Sequence, residues 1–156
     1  MMSSKRKPYS SILLAKYIAA ICNEKHLSLN ITKIQKLLFL TYGVYLTVKR
    51  ERLVDEHPEK WPYGPVFPKT REKLLKIDVY SLRISDAEFN EINNDEDLQT
   101  ILQLIFKTFG NWSGEQLSIY TSKDDRPWMS PWYKYGKIIL DVEIEPFFNR
   151  VIKYNE

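Results

Sequence analysis

The sequence predicts a mostly α-helical fold, a compact bundle of five to seven helices around a central buried helix at about residues 32–49. Apolar residues recur at helical spacing in several segments. Predicted strands do not alternate with helices, so the sequence gives no indication of a parallel sheet. A proline-rich interruption at about 50–64 predicts a short β-hairpin or an ordered loop. The 156 residues suit a single domain without internal repeats. We therefore expect a basic N-terminal segment at 1–10 and one helical domain at 11–156.

The first two helices are predicted from their caps and their apolar stripes. Ser10 and Ser11 are N-cap candidates for a helix that ends near Glu24, and Thr32 can cap a second helix that runs to about Lys49. The second helix carries apolar residues on two faces, so both faces have to be covered by other elements. This pattern predicts that it is the central helix of the domain.

Prolines punctuate the segment after the second helix. The residues at 53–54 and those at 60–61 can form a few residues of antiparallel ladder. Gly64 can take a positive φ ahead of Pro65, whose own φ is preset for a first helical turn. A third helix is therefore predicted at about 66–76.

The C-terminal half carries three further helical signals. Acidic residues at 95–97 mark the first turn of a helix with i, i+3, i+4 apolar spacing, and Gly110 is expected to end it in the left-handed conformation. Ser113 and Gln116 form a capping box for a short helix. The remaining predicted elements are a brief helical turn at 85–90 and a last helix at about 144–154.

Charge is distributed unevenly along the chain. Residues 1–76 hold 15 Lys and Arg against 6 Asp and Glu, a net charge of +9, whereas residues 77–156 hold 8 against 14, a net charge of −6. This polarity fits either two halves that complement each other or a surface that faces phosphates. The single cysteine, Cys22, cannot form an internal disulfide, and the sequence contains no signal peptide and no membrane span. We therefore expect a soluble cytoplasmic protein.

Two groups of residues with reactive or ligating side chains give little support for catalysis. Cys22 and His26 share a face if the first helix extends that far, but a nucleophile pair also needs an orienting group and an oxyanion donor. The Asp, Glu and His residues at 55–59 lack metal-ligand spacing and are interpreted as a solvated charge run. We expect no enzyme, no catalytic residue, no cofactor and no metal.

Residues 12–49 also fit the element order of a helix–turn–helix. A recognition helix needs several polar side chains on one exposed face, whereas the second helix is apolar all round at 37–40. Only Thr32, Lys33, Gln35 and Lys36 at its N-terminal end could reach a groove. The alternative function is therefore a nucleic-acid-binding transcriptional regulator that uses Lys5, Arg6, Lys7 and the basic half.

Aromatic residues in irregular, proline-flanked segments favour a protein-binding surface. Rigid rings on ordered loops bury much area and lose little conformational entropy on binding. The alternative is that the rings cover the ends of the helical core. Trp61 in particular is expected to be largely buried against the second helix, near Phe39, Tyr42 or Tyr45. The candidate partner-binding residues are Tyr63, Phe67, Trp132, Tyr133, Lys5, Arg6 and Lys7.

Two stretches resemble a known family. Thr-Lys-Ile-Gln-Lys-Leu-Leu-Phe-Leu-Thr-Tyr-Gly at 32–43 is followed by Trp-Pro-Tyr-Gly-Pro-Val at 61–66, and Pro-Trp follows at 127–128. This combination resembles the Panacea domain of the SocA-like antitoxins, which are also described as phage-associated proteins. Ser122 stands where the family often has histidine. The matching positions are Lys33, Gln35, Lys36, Leu37, Trp61, Gly64, Pro65, Val66, Pro127 and Trp128.

The resemblance implies a function that composition alone does not determine. It implies a non-enzymatic helical domain that acts as the antitoxin of a bacterial or prophage toxin–antitoxin system. Such a protein neutralises a cognate toxin, encoded by an adjacent gene, through direct protein–protein binding. At least one member of the family delivers its toxin to a protease, which makes protease machinery a further candidate partner. The oligomeric state is left open, and residues 129–156 match no known pattern.

Overall fold

A computed structural model describes residues 7–129 and 138–154 of the chain. The described residues form seven α-helices and one two-stranded antiparallel sheet, which confirms the predicted fold class. None of their helices combines the length and the apolar character that a membrane crossing requires. The helices are α1 (Ser11–Glu24), α2 (Ile31–Lys49), α3 (Pro68–Leu74), α4 (Asn90–Asn93), α5 (Glu96–Phe109), α6 (Gly114–Thr121) and α7 (Asp141–Tyr154). The strands are β1 (Glu59–Trp61) and β2 (Gly64–Val66), and 3₁₀ turns lie at Val79–Ser81, Ala87–Phe89 and Pro127–Met129.

Helix α2 is the central element, as its two apolar faces predict. It contacts α1, α3, α5, α6, α7 and β2, and its residues are buried without interruption from 33 to 46. Each fully buried aliphatic or Phe side chain contributes roughly 1.5–3 kcal/mol of transfer free energy, so α2 supplies a large part of the hydrophobic core. A helix surrounded in this way also has to satisfy its polar side chains inside the protein.

Side-chain caps set the beginning of several helices. Ser10 caps α1 by accepting a hydrogen bond from the backbone N–H of Leu13, as predicted. The predicted capping box of α6 is present in both directions between Ser113 and Gln116. For α2 the prediction of Thr32 is wrong, because Asn30 is the N-cap residue and accepts from the backbone N–H of Lys33 at 2.7 Å.

Gly110 does not take the left-handed conformation that the sequence predicted. Its φ is −56°, and its N–H continues the helical pattern by donating to the carbonyl oxygen of Phe106. A Cβ at this position would lie 2.4 Å from that same oxygen. Glycine is therefore required here by lack of space and not by a positive φ.

The hairpin pairs different residues from those predicted. Glu59 pairs with Val66 and Trp61 pairs with Gly64, so that a two-residue turn joins β1 and β2. Val54, predicted as part of one arm, instead forms a parallel bridge with the buried Tyr9. Because Val66 belongs to a strand, α3 starts only at Pro68 and not at Val66 as predicted, and it ends at Leu74.

Glu56 is buried, which contradicts its interpretation as part of a solvated charge run. Its carboxylate accepts hydrogen bonds from the Ser11 hydroxyl at 3.0 Å, from the Thr70 hydroxyl at 2.8 Å and from the backbone N–H groups of Lys69 and Thr70. Phe67, the N-cap residue of α3, has no capping side chain. Glu56 therefore supplies the negative charge that the N-terminus of α3 favours, and it ties that helix to α1.

Trp128, and not Trp61, fills the aromatic core beside α2. Trp128 is 1% exposed, its ring centroid lies 5.0 Å from that of Phe39, and its Nε1–H donates to the carbonyl oxygen of Thr121 at 2.8 Å. Trp61 is only half-buried. Trp61 lies against the first turn of α2, beside Ile31 and Thr32. The predicted position near Phe39, Tyr42 or Tyr45 is wrong, because the rings of Trp128 and Phe67 pack on Phe39 and Tyr42 instead.

Truncation of these two tryptophans is expected to have unequal effects on stability. Trp128→Ala removes a fully buried ring and leaves the Thr121 carbonyl without its donor, so we expect the free energy of unfolding to fall by about 3–5 kcal/mol. Trp61→Ala is the matched control and should cost less than about 2 kcal/mol, because the ring is half-buried. Urea unfolding monitored by circular dichroism measures both values. Equal losses in the two variants would contradict this assignment of the core.

Candidate partner-binding site

Gln35 joins the central helix to the end of the hairpin. Its side-chain Oε1 accepts a hydrogen bond from the backbone N–H of Phe67 at 2.7 Å, and its Nε2 donates to the carbonyl oxygen of the same residue at 3.2 Å. The amide side chain thus pairs with the backbone in the way that a neighbouring strand does. Both partners are buried, so each bond replaces one that water would otherwise supply.

Lys36 holds the strand that precedes Phe67, β2. Its ammonium donates to the carbonyl oxygen of Pro65 at 2.9 Å, and the side chain is 2% exposed. Burial disfavours the charged form and lowers the pKa of Lys36 to about 8. Lys36 is therefore a buried cation whose described partner is a neutral carbonyl group.

Gly64 allows the hairpin to approach these side chains. Its φ is +107°, as the sequence predicted, and this conformation strains any other residue. A Cβ at Gly64 would lie 2.7 Å from Oγ1 of Thr121 on α6 and 3.4 Å from Cε of Lys36. The absence of a side chain therefore lets β2 fit between α2 and α6.

An open groove of about 340 Å³ lies beside the hairpin. The first turn of α2 forms one wall, and β1, the turn and α3 contribute the others. The Arg71 guanidinium lies 5.6 Å from the centre of the Trp61 ring, while the Trp61 Nε1–H donates to Glu59 at 3.0 Å. We call this space the hairpin groove; its lining includes Ile31, Thr32, Lys36, Trp61, Tyr63 and Arg71.

The family-motif positions separate into two groups in the structure. The first group forms the hairpin and its anchors on α2: Gln35, Lys36, Trp61, Gly64, Pro65 and Val66. The second group lies in or beside the core: Lys33, Leu37, Pro127 and Trp128. Lys33 donates to the Ser28 hydroxyl at 3.1 Å and to the Gly110 carbonyl oxygen at 2.7 Å, and burial lowers its pKa.

The predicted partner-binding residues that the structure describes differ in their exposure. Tyr63 is 77% exposed at the hairpin turn, and Lys7 is exposed ahead of α1. Phe67 is wrong as a partner contact because its ring is fully buried, 5.8 Å from that of Tyr42. The other four candidates lie outside the described residues: Lys5, Arg6, Trp132 and Tyr133.

The residues predicted for a DNA-recognition helix are turned inward. Lys33, Gln35 and Lys36 are buried and bonded to backbone groups of this chain, and only Thr32 of that set is exposed. The edge of a base pair within a rigid duplex cannot enter the protein to reach these three side chains. The helix–turn–helix interpretation of α1 and α2 is therefore wrong.

The reactive residues singled out in the sequence do not form a site. Cys22 is fully buried, and burial raises the pKa of its thiol, whereas His26 is exposed with a φ of 54°. Within residues 7–129 and 138–154, His, Cys, Asp and Glu side chains form no group of three or more that could hold a metal ion.

Sequence reasoning missed two residues of the site. Arg71 lies on a short helix whose pattern gives no sign that its side chain stacks on a tryptophan ten residues earlier. Thr121 precedes Ser122, the position at which the family often has histidine, but only the fold reveals that the Thr121 hydroxyl faces Gly64. In both cases the signal is tertiary and has no local counterpart.

The fold and the site define a small helical domain whose central helix holds a β-hairpin beside an open groove. The chain belongs to the family of SocA-like antitoxins with the Panacea domain, because that family's model matches residues 34–129, more than half of the chain. This match confirms the resemblance seen in the motifs. Membership indicates a toxin as the general class of partner and suggests a non-enzymatic role. No curated protein and no solved structure matches the chain.

Burial of Lys36 predicts a specific pH dependence of stability. The folded pKa of about 8 lies below the ordinary value of 10.5, so between these pH values the unfolded chain keeps a proton that the folded chain has released. The free energy of unfolding should therefore rise with pH across this window, by up to about 3 kcal/mol relative to Lys36→Met. Chemical unfolding from pH 7 to 10.5 measures this difference, with Lys107→Met on the exposed face of α5 as the matched control. If the free energy of unfolding changed with pH in the same way for the wild type and Lys36→Met, a lowered pKa of Lys36 would be ruled out.

Proposed function

We propose that this chain is the antitoxin of a bacterial or prophage toxin–antitoxin system. It neutralises a cognate toxin, encoded by an adjacent gene, through direct protein–protein binding. The observation that carries the proposal is the family match over residues 34–129. The motif residues of this family lie largely on α2 and the hairpin, so the family signature coincides with the hairpin that side chains of α2 anchor.

The hairpin has the properties of a protein-binding element. Tyr63 is 77% exposed, yet the strand next to it is fixed by hydrogen bonds from Gln35 and Lys36. An aromatic side chain on a backbone that is already ordered loses little entropy when a partner docks. This combination supports binding to another protein more than it supports catalysis.

The nucleic-acid alternative receives less support from the described residues. Three of its four candidates on α2, Lys33, Gln35 and Lys36, are buried, and of its basic N-terminal set only Lys7 is described. The net charge of +9 in residues 1–76 also includes Lys33 and Lys36, which are inside the protein. The charge available to phosphates is thus smaller than the sequence suggests.

Co-expression tests the proposed function directly. We expect one adjacent open reading frame to arrest growth when it is expressed alone, and the arrest to be relieved when this chain is expressed with it. The two proteins should copurify as a complex. An unchanged toxin level during rescue indicates blocking, whereas a level that falls in a protease-dependent way indicates delivery to a protease. If no adjacent product is toxic, or toxicity persists beside this chain, the proposal is wrong.

A single aromatic substitution tests whether the hairpin contributes to that complex. Tyr63→Ala should weaken toxin binding by at least about tenfold, because truncation of an aromatic hot-spot residue at the centre of an interface typically costs about 2 kcal/mol or more. The melting temperature should change little, since the side chain is exposed. Tyr80→Ala, at a tyrosine that is 64% exposed elsewhere, is the matched control. Calorimetric titration gives both affinities, and equal affinities for the two variants would exclude the turn as a contact.

A further inference from the structure

The hairpin groove holds two cations that no described carboxylate neutralises. The ammonium of Lys36 has three N–H donors, and among the described residues one of them is bonded, to the carbonyl oxygen of Pro65. The guanidinium of Arg71 stacks on Trp61 at 5.6 Å and forms no ion pair within the part of the chain that the structure describes. Two positive groups therefore border one space, and neither forms an ion pair with a described carboxylate; the nearby Glu59 accepts from the Trp61 Nε1–H instead.

The N-terminal end of α2 adds a third source of positive potential to the same space. Ile31 and Thr32, the first two residues of this helix of 19 residues, line the groove. The N–H groups of a first helical turn have no acceptor within the helix, and the helix dipole places partial positive charge there. The Asn30 side chain accepts only the N–H of Lys33, so it does not use the first two donors.

Apolar surface lies next to these positive groups. The Trp61 ring is half-buried in the groove wall and Tyr63 is exposed at its rim. A ligand that carries an anionic group beside an apolar group therefore complements both the cations and the aromatic rings of the groove. Protein segments with an acidic residue next to an aliphatic or aromatic residue have this chemistry.

The burial of Lys36 limits which acidic ligands can reach its ammonium group. Its side chain is 2% exposed, so only a slender group that enters the groove can reach its ammonium. A carboxylate at the end of an aspartate or glutamate side chain can do so. The phosphates of a duplex are carried on a stiff backbone and need a row of exposed cations, whereas the cations here converge on one groove of about 340 Å³.

We propose that the hairpin groove is the docking site for an acidic segment of the toxin. In this arrangement an aspartate or glutamate of the toxin reaches Lys36 and Arg71, and a neighbouring apolar side chain packs on Trp61 and Tyr63. The inference rests on the proposed antitoxin function and assigns the surface that performs it. The docked carboxylate supplies the countercharge that buried Lys36 lacks, which favours an acidic partner over a neutral one.

The test uses the toxin that the wild-type chain neutralises, together with overlapping 12-residue peptides from that toxin. Binding of full toxin by Lys36→Met and by Arg71→Ala should be at least tenfold weaker than binding by the wild type. Arg83→Ala, at an exposed arginine that does not line the groove, should bind as the wild type does. At least one peptide with an acidic residue should bind, and replacement of that residue by its amide should weaken binding by a similar factor.

The outcomes separate this inference from the proposed function. Arg71 is exposed, so its variant is expected to fold and keeps the test valid if Lys36→Met is unstable. If the wild type neutralises the toxin and both Arg71→Ala and Lys36→Met bind it with unchanged affinity, the groove is not the docking site. The proposed antitoxin function is then unaffected. Failure of the wild type to neutralise any adjacent gene product overturns both. Binding of a 20-nucleotide single strand that is lost in the same two variants also overturns the proposal, because the ligand is then a nucleic acid.

Discussion

The structure depends on polar side chains that are buried on an otherwise apolar helix. Lys33, Gln35 and Lys36 each place their polar group against backbone carbonyl or N–H groups of another segment. Hydrophobic burial is not directional, so it can hold α2 in the core without fixing what packs on it. A buried polar group left without a partner costs about 1–3 kcal/mol, and the bonds of Gln35 and Lys36 therefore fix the register of the hairpin on α2.

The anchoring residues and the exposed residues of the site have different roles. Gln35, Lys36 and Gly64 set the position of the hairpin, and all three belong to the family pattern. Tyr63 and Arg71 face the groove but lie at positions that the pattern does not specify. The residues of the family pattern thus explain the fold of the site, while the residues between and beyond the motif positions set the chemistry of its surface.

Local signals predicted the fold better than the site. Helical periodicity and capping residues gave α1, α5 and α6 because they act within one turn of a helix. The burial of Glu56 could not be predicted, since its donors lie on α1 and α3 and its neighbours in sequence are polar. That Trp128 and not Trp61 enters the aromatic core beside α2 has the same origin, because both rings lie next to prolines and only packing decides which ring enters the core.

Hydrogen exchange of a Gln35→Leu variant tests most directly whether α2 holds the hairpin. Gln103→Leu makes the same change at an exposed glutamine of α5 and serves as the matched control. Loss of the Gln35 amide should speed exchange at the N–H of Phe67 and in residues 59–66, while exchange in α5 stays slow in both variants. Hairpin exchange in Gln35→Leu as slow as in Gln103→Leu would contradict the claim that buried polar side chains of α2 fix the site.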